Sequence, residues 1–117
     1  MRPYRFWVIG DAGTGQTAQI NVRNAYTNYN GTTRTDLWLQ LGDNVYDSGM
    51  DSEYQTRSFD IYTSLYKTSV SWPAIGNHDT AQATNPPLTI PYFQTFTLPT
   101  AALLGHLLPK SLNYNIL

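Results

Sequence analysis

The sequence predicts an α/β fold: a single β-α-β-α-β layer with buried, mostly parallel strands. Three observations lead there. Three short apolar runs are each followed at once by Gly and then Asp or Asn, a helix-periodic segment separates the first two runs, and 117 residues suffice for at most one small domain. A domain of this size buries only roughly two thirds of its unfolded surface, so little stability is in reserve.

The first run, Phe6-Trp7-Val8-Ile9, leads into Gly10-Asp11. Residues 16–29 read as a helix, with Ala18, Val22, Ala25 and Tyr29 expected on its buried face and Asn30-Gly31 ending it. The second run, residues 37–41, leads into Gly42-Asp43. Tyr54, Ile61, Tyr62 and Leu65 then suggest a second helix, and residues 70–75 form the third run before Gly76-Asn77. Pro73 weakens the strand reading of this third run, because it cannot donate to a central ladder. From residue 80 onward the composition changes. Lys110 is the only charged side chain there, and five of the seven prolines fall in this part. The stretch 101–108, AALLGHLL, reads as a buried helical turn or as non-native sequence.

Composition narrows the function classes. The formal net charge of −1 gives bulk electrostatics no hold on nucleic acid or membrane, so neither is expected as a partner. With no cysteine there are no disulfides, thiolate metal sites or thiol nucleophiles. No apolar stretch approaches the ~20 residues of a membrane span. Met1 runs almost directly into an apolar strand without a signal-peptide pattern. The chain therefore reads as cytoplasmic, or as secreted if its true start lies upstream. Oligomeric state is left open.

In an open α/β sheet, ligands gather at the carboxyl ends of the strands. The Gly at each end lets the chain turn sharply, and the polar residue after it faces the crevice. Asp11, Asp43 and Asn77 are thereby expected to meet, and oxygen donors of this kind suit hard metal ions. Each Gly-Asp or Gly-Asn pair alone is also ordinary turn sequence. Tyr46 alone reads equally well as a packing residue. The metal reading rests on the three loops occurring together.

Gly10-Asp11-Ala12-Gly13, Gly42-Asp43-Asn44-Val45-Tyr46 and Gly76-Asn77-His78-Asp79, in this order, resemble the first three sequence blocks of the calcineurin-like metallophosphoesterases. Gly13 stands where most of that superfamily has His, and Tyr46 where it has a second Asp. Both departures are those of the purple acid phosphatase branch. The resemblance covers roughly residues 4–79. It divides the chain into residues 1–79, resembling the N-terminal half of the metallophosphoesterase α/β/β/α sandwich, and a Pro/Leu-rich tail, 80–117, read as non-native or disordered.

The resemblance implies a dinuclear metal centre, Fe(III) with Fe(II), Zn or Mn, acting on a phosphate ester. Asp11 would bind Fe(III), Asp43 would bridge the two ions, Tyr46 would bind Fe(III) as phenolate, and Asn77 would bind the second ion. His78 would be catalytic, meeting the phosphate or protonating the leaving group, a role its reference pKa of about 6.5 suits. The family also supplies three further histidine ligands. This chain has two histidines in all, His78 and His106, so little or no phosphatase activity is expected from it alone. The alternatives are a phosphodiesterase, a non-catalytic metal-binding protein, and an interaction fragment of the same fold.

Overall fold

A computed structural model describes residues 1–83 and 89–98. Its elements are β1 (Phe6–Ile9), α1 (Thr17–Asn30), β2 (Leu37–Gln40), α2 (Asp51–Glu53) continuing into a π-helical turn (Tyr54–Phe59), α3 (Thr63–Thr68), β3 (Val70–Pro73) and α4 (Pro91–Thr95). The fold is α/β. Its three strands form one parallel sheet in the order β1-β2-β3. Crossovers through α1 and through the α2–α3 segment join them, as parallel pairing requires. Pro73 ends β3, an edge strand, where a missing N–H costs no central hydrogen bond.

Side chains alternate across a strand, so the register decides what each face presents. One face carries Trp7 and Trp38, which pack with Tyr62 and Leu65 beneath the helices. Trp7 stacks on Tyr26 of α1 (centroids 4.2 Å apart, planes 3° from parallel), and Trp38 meets Tyr62 edge-on at 5.0 Å. The other face carries the paired rows Phe6-Leu37-Val70 and Val8-Leu39-Trp72. Phe6, Val8, Val70 and Trp72 are exposed there, Trp72 to 48%. The strands are parallel as expected, but the expectation of burial holds for one face only.

The expected inner face of α1 is also corrected. Ala18, Val22, Ala25 and Tyr29 are all exposed, Tyr29 to 85%. The helix is turned by about one residue, so that Gln19, Arg23, Tyr26 and Asn30 face inward. Gln19 accepts from the Gly15 N–H (2.6 Å) and donates to the Arg57 carbonyl (2.6 Å), Arg23 donates to the Ile61 carbonyl, and Tyr26 lies on Trp7. Polar bonds and one aromatic stack orient this helix, and the alanine-valine stripe does not.

The second helical segment is three pieces. In the π turn the Asp60 N–H reaches back to the Gln55 carbonyl (2.9 Å). Tyr54, Ser58, Tyr62 and Leu65 are all buried. A second apolar cluster joins Val45, Tyr54, Ile90 and Tyr92, with Ile75, Phe96 and Leu98 against it. The Tyr92 hydroxyl donates to the Pro73 carbonyl (2.9 Å), so residues 89–98 are packed onto the sheet edge. The stretch 101–108 and His106 lie outside the described residues. Among the described residues no helix is long and apolar enough to cross a membrane.

Candidate metal centre

The site is built from the three loops that leave the carboxyl ends of the strands. Asp11 and Asp43 both have left-handed backbone conformations, φ 52° and 48°. Asp tolerates this region better than most residues, but it remains sparsely populated and is kept only where surroundings enforce it. For Asp43 the surroundings are visible. Its Oδ1 accepts the His78 backbone N–H (3.0 Å), which ties the second loop to the third. A Cβ on Gly76 would overlap Asp43 N and Oδ1, so only glycine leaves room for this carboxylate.

The first and second loops meet at Gly13. Its carbonyl accepts the Tyr46 N–H (2.9 Å), and a Cβ at this position would overlap the Asn44 carbonyl oxygen. No side chain fits at residue 13 while Tyr46 is held this way. Thus Gly13 and Tyr46 are sterically coupled, the Gly making room for the loop that brings the Tyr inward.

Tyr46 closes the arrangement. Its hydroxyl lies 2.8 Å from Asp11 Oδ1 and 3.0 Å from Asp43 Oδ2. The two carboxylates, from loops far apart in sequence, therefore lie within two hydrogen-bond lengths of each other. Burial, then the hydrogen bonds to Asp11 and Asp43, push the Tyr46 phenol well above its usual range. The His78 ring sits 4.3 Å from the Tyr46 ring, and its Nδ1 is 2.8 Å from the Asp47 carbonyl oxygen. A carbonyl only accepts, so Nδ1 carries hydrogen in this arrangement and Nε2 is the nitrogen left for another partner. Asn77 is exposed on the third loop, and its carbonyl accepts the Thr80 hydroxyl (3.0 Å). Tyr46 thus contacts Asp11, Asp43 and His78, and Asn77 adjoins His78 in the chain.

The donor set suits a hard cation: two carboxylate oxygens meet at one phenol oxygen, the chemistry that hard metal ions select. Among the described residues no three His, Cys, Asp or Glu side chains group together, so carboxylate and imidazole content alone does not mark the place. A concavity of about 410 Å³ lies elsewhere, lined by Tyr26, Asn30, Gly31, Thr35 and Thr68, at the amino ends of the strands.

Three supporting residues were not expected. Glu53 turns its carboxylate back to accept the N–H groups of Asp47, Ser48 and Met50. Burial alone would raise its pKa, but these three donors hold it below the usual carboxylate range. The Arg57 guanidinium donates to the Tyr46 carbonyl and lies 3.4 Å from Glu53. Asp79 is wholly buried. Its place in Gly76-Asn77-His78-Asp79 was the available signal, but an acidic residue in such a turn ordinarily reads as exposed. Comparison of the chain with protein-family models, with curated proteins and with solved structures returned no match.

Proposed function

We propose that Asp11, Asp43, Tyr46 and Asn77 bind a pair of cations, and that the chain carries the N-terminal part of a phosphoester hydrolase resembling the purple acid phosphatases. One observation carries this reading: a single phenol oxygen touches a carboxylate from each of two strand-end loops. Tyr46 and Asp11 would hold Fe(III), Asp43 would reach both ions, and Asn77 would hold Fe(II), Zn or Mn. Such a pair supplies Lewis acidity toward a phosphoryl oxygen and toward water. The protein's own part is to orient. Asp43 is fixed by the His78 N–H, and Nε2 of His78 is the group to meet a phosphate or leaving-group oxygen.

Four donors fall short of the seven implied by the resemblance, and His106 is the only other histidine. The site is therefore expected to bind metal weakly and to turn over slowly, if at all, in this polypeptide. The scarcity of histidine equally favours the second reading, metal binding without catalysis. Calorimetric titration with Mn²⁺ or Zn²⁺ tests both. Binding that Asp43→Asn abolishes is expected, and absence of binding in the parent chain rejects both readings. A phosphomonoester assay with Fe and Zn or Mn added then separates the two.

A further inference from the structure

From the packing of the second and third loops we infer that Asp79 is the positioning residue of the metal centre. The inference rests on the metal-binding reading above. Asp79 is 0% exposed and accepts four hydrogen bonds. Three fall on Oδ2: the Asn44 backbone N–H (3.2 Å), Asn44 Nδ2 (2.9 Å) and the Gly76 backbone N–H (2.9 Å). The fourth, from the Tyr54 hydroxyl, falls on Oδ1 (2.6 Å).

These partners place Asp43. The Asn44 N–H belongs to the peptide that follows Asp43, so binding it helps hold Asp43 at its φ of 48°, a conformation the residue would not otherwise favour. The Gly76 N–H belongs to the residue on which the Asp43 carboxylate rests. One oxygen atom thus pins the second loop to the third on either side of the expected bridging ligand. The Asn44 side chain is committed to the same purpose. Its Nδ2 also donates to the Ala74 carbonyl (2.7 Å), and two acceptors on one side fix the amide's orientation, leaving Oδ1 buried without a partner. Gly49 admits the Asp79 backbone, since a Cβ there would crowd the His78 and Asp79 carbonyls.

Calorimetric titration of the full chain with Zn²⁺ tests the assignment, at a temperature where circular dichroism shows each variant folded. Asp79→Asn puts a donor among donors. It is expected to weaken Zn²⁺ binding roughly 10–100-fold, as loss of a ligand-orienting partner does. Tyr54→Phe frees only Oδ1 and is expected to lower the melting temperature while weakening Zn²⁺ binding far less than Asp79→Asn does. That split separates positioning from general stability, and equal loss of affinity in the two variants overturns the assignment. If Asp79→Asn does not fold, Asn44→Ala takes its place, removing one Oδ2 bond while the carboxylate stays. Parent-like affinity in the variant so used overturns the inference. If the parent binds Zn²⁺ through Asp43 and Asp79→Asn does too with unchanged affinity, only the positioning role is lost. If the parent does not bind Zn²⁺, the metal reading falls and takes the inference with it.

Discussion

The Tyr46 hydroxyl lies 3.0 Å from Asp43 Oδ2, and the same oxygen touches Asp11 Oδ1 at 2.8 Å. The phenol proton is shared between two carboxylates that, with Tyr46, would hold the proposed Fe(III). Because burial and these two acceptors raise the phenol's pKa, Tyr46 is protonated across the neutral range in this metal-free arrangement. Binding Fe(III) as phenolate must then release that proton. Iron affinity is expected to rise with pH, and calorimetry in buffers of different ionisation enthalpy should register proton release. Tyr46→Phe should abolish the release.

Gly76→Ala is expected to cost about 1–3 kcal/mol, the usual range for overpacking, because its methyl group would overlap the Asp43 carboxylate. Gly13→Ala should behave alike through the Asn44 carbonyl. Thermal melting measures both. Gly31→Ala meets no neighbouring atom, and any cost there comes from the positive φ of 59° alone.

The two faces of the sheet predict opposite sensitivities. Trp38→Ala removes a ring that is 1% exposed and is expected to cost about 3–5 kcal/mol, enough to unfold a domain this small. Trp72→Gln, on the open face, should change stability by less than about 1 kcal/mol. It should also reduce dye binding and self-association, because an exposed apolar face of this kind favours both. Denaturant melts and light scattering check the pair.

Buried tyrosines set the alkaline limit. Burial is the main cause that pushes Tyr62 and Tyr92 up to about 12, and it raises Tyr66 as well. The unfolded chain ionises near pH 10. Above that pH the unfolded state binds fewer protons than the folded one, so stability falls as pH rises. The contribution is fully present below about pH 10 and is lost toward pH 12. Tyrosinate absorbance and circular dichroism should change together in this window. At the acid end, Glu53 contributes stability above its unfolded pKa, lost as pH falls through its lowered folded value.

The strands and their parallel order were legible because each run is short, apolar and closed by glycine. The meeting of Asp11 with Asp43 followed from one rule about strand ends. The rotation of α1 was not legible: Gln19 and Arg23 face inward for the sake of carbonyls at Arg57 and Ile61, and those carbonyls exist only once the second crossover is in place. The burial of Asp79 was hidden for the same reason, since its donors come from Asn44, Tyr54 and Gly76. The coupling of Gly13 to Tyr46 was not legible from the residues alone. Its cause, a clash at Asn44, needed the fold.

Titration of the chain with Fe(III), followed by visible absorption, reads the Tyr46–Asp11–Asp43 junction directly. The expected result is a phenolate-to-iron charge-transfer band that saturates, strengthens with pH, and disappears in Tyr46→Phe. A parent chain that takes up iron without such a band, or a Tyr46→Phe variant that keeps it, contradicts the assignment of this junction as a metal centre.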